Sequence, residues 1–305
     1  MRRFLVTGVG GPAGRSLAKQ LRARGHWVLG ADMQTVDPGV ADVVAQVSRA
    51  DSPAYLWELR GLVAKHGVEV LVPTVSDELV LISGARDDLA PGLEVVVGDT
   101  APVRIANDKF HTMKCLDNAG ISVPAFGLPS TFGSAEAAMD LLGGPVVVKP
   151  RVSRGARGVR VLERLADRGR QAARVWATLD DAWIVQRFAP GTEYAPVVHL
   201  TTGTDPDTVV VLEKAELKGG RVGNAVSVRR TDAPDDQDVA LLAASAALAL
   251  GLQGPVDIDV RRMPNGTPVV LEVNARFGAN SAHAPELLDA VLRVHTRERL
   301  PGRAV

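Results

Sequence analysis

The chain has 305 residues, 46% of them apolar and 23% charged, enough for about two domains with ordinary cores, which excludes a minimal module and a disordered chain. Thirty-five basic residues balance 35 acidic ones and aromatics are only 4%. Neither the cationic field nor the stacking surface of a nucleic-acid binder is present, so no nucleic-acid partner is expected.

The first predicted element is a β-branched, apolar run from Phe4 to Thr7 that enters Gly8-Val9-Gly10-Gly11-Pro12-Ala13-Gly14. An amphipathic helix carrying Leu17 and Leu21 follows and ends at Gly25. The spacing then predicts a strand over Trp27 to Ala31, a helix over Tyr55 to His66, and strands over Val68 to Pro73 and Glu94 to Gly98. Such alternation implies βαβ units and a parallel sheet over roughly residues 1–104. A boundary falls near Ala106 to Lys109, where a helix starts with Asn107 or Asp108 as cap and closes at Gly120.

Beyond it the pattern is α+β with antiparallel pairs. Strands are predicted at Val146 to Lys149, Val159 to Leu162, Ala182 to Phe188, Ala195 to His199 and Val209 to Leu212. Helices are expected near Ala135 to Leu142, Asp167 to Ala177 and Asp238 to Leu250. Two last strands, Val256 to Arg261 and Pro268 to Val273, flank the turn Pro264-Asn265-Gly266. The uncharged stretch Val239 to Val256 is Ala-rich and is broken by Gly251 and Gly254-Pro255, so it reads as a buried helix of a soluble protein; no membrane partner is expected. Cys115 is the sole cysteine and the N-terminus lacks the long apolar region of a signal peptide, both consistent with a reducing cytoplasmic setting.

The glycine loop after the first strand opens a helix whose free amides favour an anion. Three readings stand: a dinucleotide site with Asp32 on the ribose, an anion of another ligand, or a purely structural turn.

The second two-thirds holds a more specific series. Lys149 ends an apolar strand and is followed by the flexible loop Ser153-Arg154-Gly155-Ala156-Arg157-Gly158; side-chain charge and bare amides there can converge on a polyphosphate. Lysine is scarce, with seven against 28 arginines, so Lys109 and Lys149 at such places carry weight. The strand holding Gln186, Arg187 and Phe188 could pass an adenine, with Glu193 in reach of ribose hydroxyls. Period two puts Glu272 and Asn274 on one face of the last hairpin, and pairing across the turn brings Asp259 there. Those oxygens suit Mg2+ carrying phosphates, and Arg276 extends the face as a phosphate clamp.

These motifs, together with Val72-Pro73-Thr74-Val75-Ser76-Asp77-Glu78, Gly191-Thr192-Glu193-Tyr194 and Glu272-Val273-Asn274-Ala275-Arg276-Phe277-Gly278, resemble the ATP-grasp superfamily in its carbamoyl-phosphate-synthase large-subunit-like branch, over nearly the whole chain. The resemblance implies an α/β, ATP-grasp fold: a Rossmann-like pre-ATP-grasp domain over 1–104, a linker helix and lid over 105–187, and an α+β C-terminal subdomain over 188–305. It further implies ATP and Mg2+ as cofactors, with Mn2+ as a substitute, and carboxylate-amine ligation that releases ADP and phosphate. In this scheme Lys109, Lys149 and, less directly, Lys214 contact phosphates. Ser153, Gly155 and Gly158 belong to the closing loop, and Gln186, Arg187 and Phe188 form the adenine hinge. Glu193 would bind ribose, Asp259, Glu272 and Asn274 would hold the metal, and Lys149 with Arg276 would be catalytic. The sequence departs from the family at Arg187 and Asp259 and at Ala275, where proline is usual. Neither a glutaminase domain nor a second synthetase half is present, so carbamoyl phosphate synthesis itself is not expected.

For the small-molecule carboxylate and amine substrates the candidates are Gly10 and Gly11 of the loop, Arg229 for a substrate carboxylate, and His283 for the amine's proton. A homodimer is the expected assembly. The rival functions are an NAD(P)-dependent oxidoreductase built on the glycine loop and a non-catalytic ATP-binding protein.

Overall fold

The computed structural model describes residues 1–153, 155–164, 169–201, 207–223, 225–231 and 233–295. Its N-terminal part comprises β1 (Arg3–Thr7), α1 (Pro12–Ala23), β2 (Trp27–Asp32), β3 (Val43–Gln46), α2 (Tyr55–His66), β4 (Val70–Val72), α3 (Ser76–Gly84), α4 (Arg86–Leu89) and β5 (Glu94–Val95). The five strands form a parallel sheet in the order β3-β2-β1-β4-β5. Helices cover both faces, which is why β1 is buried on both sides. Leu5 and Leu71 pack into one core, while Phe4, Val6, Val70 and Val72 pack into the other.

Two helices, α5 (Thr100–Asn107) and α6 (Lys109–Asn118), abut where one start was expected. Asp108 separates them in an extended conformation; its carboxylate accepts hydrogen bonds from Phe110 N at 3.0 Å and His111 N at 3.3 Å, which selects it over Asn107 as the cap.

Next come β6 (Phe126–Gly127), α7 (Pro129–Phe132), α8 (Ala135–Leu142), β7 (Val146–Pro150), β8 (Arg160–Leu162), α9 (Gly169–Trp176) and β9 (Trp183–Arg187). Their antiparallel sheet, β6-β9-β7-β8, has its own small core around Met139, Leu142, Val146, Val148 and Val185. A separate core lets such a unit move as a body. Asp167, at the expected start of α9, and Arg154 of the preceding loop lie outside the described residues.

The remainder is β10 (Glu193–Tyr194), β11 (Val197–His199), β12 (Thr208–Val210), β13 (Leu212–Leu217), β14 (Ala225–Arg230), α10 (Gln237–Ala249), β15 (Val256–Arg262), β16 (Pro268–Asn274) and α11 (Pro285–His295). The seven strands form one sheet in which β15 pairs with β16 on one edge and with β10 and β11 on the other. The expected strand Val209 to Leu212 is divided between β12 and β13, which pair with different neighbours. Helix α10 is half-buried rather than buried: Val239, Ala243, Ala246 and Ala247 face the core, while Leu241 and Leu248 are 69% and 72% exposed. Among the described residues no helix is long and apolar enough to cross a membrane.

Two glycines separate backbone constraint from mere tolerance. A Cβ on Gly14 would lie 2.3 Å from Gly8 O and 2.7 Å from Val9 Cα, because α1 starts hard against the loop it leaves. On Gly61, in the exposed interior of α2, it would meet nothing within 4 Å. Gly14→Ala should therefore destabilise the protein by about 1–3 kcal/mol through overpacking. Gly61→Ala should stabilise it by about 1 kcal/mol through helix propensity. Urea unfolding of the two variants checks the opposite signs.

Candidate functional site

A cleft of about 990 Å³ opens where the three sheets meet. The N-terminal domain contributes the loops after β1 and β4, the usual ligand-facing end of a parallel sheet. The four-stranded sheet contributes Val147, Lys149 and Gln186 with the loop Gly155 to Val159, and the seven-stranded sheet contributes the acidic wall.

That wall follows from strand periodicity. On β15, Asp257, Asp259 and Arg261 face the cleft while Ile258 and Val260 pack into the core. Register pairs Asp259 with Glu272 and Asp257 with Asn274, so all four oxygen-bearing side chains share a face. The pairing slips after Asp259, since Val260 opposes Val270 and Leu271 is left over as a bulge. Its carbonyl turns into the cleft and accepts a hydrogen bond from Lys149 Nζ at 2.9 Å.

The cations are buried against these carboxylates. Lys214 Nζ lies 2.7 Å from Glu193 Oε1 and 2.6 Å from Asp259 Oδ1. Burial alone would lower the Lys214 pKa; the Asp259 and Glu193 carboxylates overcome this and raise it. Burial likewise pushes Asp259 upward, and the Lys214 ammonium outweighs it and holds that carboxyl below its usual range. Lys149 has less compensation: burial, aided by nearby Lys109 and only partly opposed by Glu272, lowers it to about 8. Lys109 donates to Ser153 O at 2.9 Å and Ser153 Oγ at 3.2 Å, and its Nζ is 3.3 Å from Glu272 Oε1. Arg276 reaches Asn274 Oδ1 at 3.1 Å and Asp257 Oδ2 at 3.4 Å. Arg261 Nε lies 2.6 Å from Glu193 Oε2, close enough for an ion pair but not aligned as a hydrogen bond.

Most of the expected residues line this one cleft: Gly11, Lys149, Gly155, Gln186, Arg187, Phe188, Glu193, Lys214, Asp259, Glu272, Asn274, Arg276 and His283. Lys109 and Ser153 stand behind its wall, joined to it through Glu272. Gly158 has a packing role, since a Cβ there would lie 2.9 Å from the Pro150 ring. Three expectations need correction. Gly10 does not line the cleft; its amide donates to Asp32 Oδ2 at 2.9 Å, and the Gly11 amide is turned to Gly8 O. Arg229 is a largely exposed surface residue paired with Glu213, away from the lining. At the hinge, the amides of Arg187 and Phe188 already donate to Ala125 O and Pro145 O, so the open backbone donor is shifted to Ala189.

Sequence reasoning passed over Asp257, Arg261 and Ser76. Period two from Asp259 would have found the first two. For Ser76, whose buried hydroxyl has no partner, only the folded cleft provides a signal.

Asp257, Asp259, Glu272 and Asn274 are a hard-oxygen set of the chemistry Mg2+ prefers, and the buried Asp257 Oδ1 lacks a hydrogen-bond partner, so the residues fit such an ion. Among the described residues no three Asp, Glu, His or Cys side chains converge as a metal cage. Lys214 and Lys109 are the present counter-charges of Asp259 and Glu272.

Fold and site together define an α/β protein with a charged, oxygen-lined cleft where one parallel and two antiparallel sheets meet. The family model described as ATP-grasp domain matches residues 106–280, more than half of the sequence, and the chain belongs to the ATP-grasp family. It is 25% identical to the carbamoyl phosphate synthase large chain of Methanothrix thermoacetophila over 83% of its own length, yet spans only 23% of that protein. A probable alpha-L-glutamate ligase of Sodalis glossinidius is 28% identical, with 90% of this chain and 88% of the relative aligned. Among solved structures, the N5-carboxyaminoimidazole ribonucleotide synthetase from Thermotoga maritima shares the fold with a TM-score of 0.68 at 19% identity, covering 100% of this chain and 78% of that one.

The Lys214 bridge has a measurable consequence. Lys214→Met leaves two largely buried carboxylates without their shared cation and should destabilise the protein by about 3–5 kcal/mol. Adding Glu193→Gln and Asp259→Asn should recover much of that loss in thermal unfolding.

Proposed function

We propose that the protein is an ATP-dependent, ADP-forming ligase that joins a small-molecule carboxylate to an amine. The observation that carries the reading is one cleft in which Lys149, Lys214 and Arg276 face Asp259, Glu272 and Asn274. Cations and hard oxygens in that mixture are what a metal-bound polyphosphate requires. The family and the likeness to ligases over most of the chain support it.

A free carboxylate does not acylate an amine near neutrality because its oxygen is a poor leaving group. In the proposed reaction a carboxylate oxygen attacks the γ-phosphorus, the bond to ADP breaks, and an acyl phosphate forms. The amine then attacks the carbonyl carbon, phosphate departs, and the amine loses a proton. Lys149 and Arg276 offset the charge that shifts onto the phosphoryl oxygens. Lys109 and Ser153 tie the loop beyond β7 to Glu272, so loop and acidic wall close together and exclude the water that would hydrolyse the intermediate. Asp259, Glu272 and Asn274 would hold Mg2+, which supplies further charge neutralisation when bound. Gln186, Ala189 and Phe188 would form the adenine slot and Glu193 the ribose contact.

The oxidoreductase alternative loses its ribose carboxylate: Asp32 accepts from Gly10 N at 2.9 Å and Gln34 N at 3.0 Å, and so serves the loop itself. A binder without turnover is separated by assay.

ADP release measured against a panel of amino acids and amines should be substrate-dependent and fall at least about 100-fold in Glu272→Ala. Release of AMP, or release indifferent to Glu272, would overturn the ligase reading. A second measurement concerns charge. Because Lys149 is lowered to about 8, the free protein loses that cation as pH rises through this value. Nucleotide affinity should therefore drop between pH 7 and 9 in equilibrium titrations and stay flat in Lys149→Arg, whose guanidinium remains charged.

A further inference from the structure

Arg261 is a buried cation, 6% exposed, that the proposed reaction leaves without a part. It sits on β15 directly opposite Glu193 of β10, so the antiparallel register itself brings the two side chains together. Arg261 Nε lies 2.6 Å from Glu193 Oε2, Nη1 donates to Ala189 O at 3.1 Å, and Nη2 donates to Arg221 O at 2.6 Å. The guanidinium carbon also stands over the Phe188 ring, 5.5 Å from its centre. Three of these partners, Phe188, Ala189 and Glu193, line the cleft and are the residues assigned above to base and ribose.

Arg221, in the segment between β13 and β14, extends the connection. Its guanidinium stands over the same Phe188 ring at 4.5 Å and pairs with Glu163, just beyond β8 of the four-stranded sheet. Arg261 therefore ties its own strand to the chain that follows β9, to the β13–β14 segment and, through that segment, to the neighbouring sheet. A planar guanidinium directs its donors along fixed, divergent lines, so one side chain can hold a carboxylate and two carbonyls in fixed relation; a lysine ammonium lacks that fork.

We infer that Arg261 is a positioning residue that makes the slot selective for a ribonucleotide, acting through Glu193 and Ala189 rather than on the nucleotide itself. The inference rests on the nucleotide-binding part of the ligase reading and deepens it by assigning the sugar selectivity to a residue outside the slot's own contacts. Glu193 Oε1 is already held by Lys214 at 2.7 Å. One contact leaves a carboxylate free to turn about it; a second, at the other oxygen, fixes its plane. An ionised carboxylate offers about four acceptor sites. Lys214 takes one, and Arg261 Nε, which is not aligned as a hydrogen bond, takes none, so lone pairs remain for two ribose hydroxyls. A carboxylate aimed before the nucleotide arrives loses no rotamer freedom on binding it, and the slot's preference for a ribose follows from that.

The test measures binding of ATP and of 2′,3′-dideoxyATP, each with Mg2+, to the wild type, Arg261→Met and Arg261→Lys by titration calorimetry without carboxylate or amine. The wild type should prefer ATP by about tenfold or more, as hydrogen bonds to a charged group imply. Arg261→Met should weaken ATP far more than dideoxyATP, so that the preference falls below about threefold. Arg261→Lys keeps a charge beside Glu193 but not the fork, and should lose most of the preference too; it carries the test if Arg261→Met does not fold, which thermal unfolding shows. A purely structural ion pair would weaken both nucleotides alike. Equal weakening of the two in a folded variant, or a wild type that does not prefer ATP, overturns the inference. Absence of ATP binding overturns it together with the ligase reading. The expected ratios without substrate-dependent ADP release would overturn the ligase reading alone and leave the part of Arg261 standing.

Discussion

Lys214 stands between Glu193 and Asp259 with its ammonium within 2.7 Å of both, and the character of the cleft depends on that bridge. Three largely buried charges are tolerable because they satisfy one another, with Arg261 a further partner of Glu193. The same logic repeats at Lys109 and Glu272 and at Arg276 and Asp257, so the site is closer to neutral than its residue list suggests. On the proposed reading a metal-bound polyphosphate entering such a place would exchange partners, its anionic oxygens taking the lysines and its cation the carboxylates.

Sheet geometry makes this arrangement possible. One antiparallel hairpin brings Asp257, Asp259, Glu272 and Asn274 to a common face, and the bulge at Leu271 both shifts the register and turns a carbonyl toward Lys149. Lys149 comes from another sheet with a core of its own, so a contact made at the hairpin is also a contact between two bodies. The N-terminal wall is held differently, by buried Glu78, which accepts from Thr7 at the end of β1 and from the amides of Thr74 and Val75 after β4.

The hairpin was legible in the sequence because its signal is local: alternation, a Pro-Asn-Gly turn and a short separation between partners. Tyr55 to His66 was legible for the same reason, as a helix period ending at glycine. Helix α5 was missed, and β12 and β13 were merged, because their ends are decided by which neighbour each segment meets. Among site residues, Asp257 and Arg261 were within reach of the periodicity argument that found Asp259.

By itself the sequence determined a parallel sheet followed by antiparallel ones, from the spacing of apolar residues along the chain, and the family, from the resemblance of its motifs. Only the tertiary structure decided which polar groups remain open. Gly10 is taken by Asp32, Arg229 by Glu213 and the hinge amides by Ala125 and Pro145, whereas Ser76 is buried and unpaired. The physical reason is that a donor or acceptor is satisfied by whatever the fold places within about 3 Å of it, and that partner is often distant in the sequence.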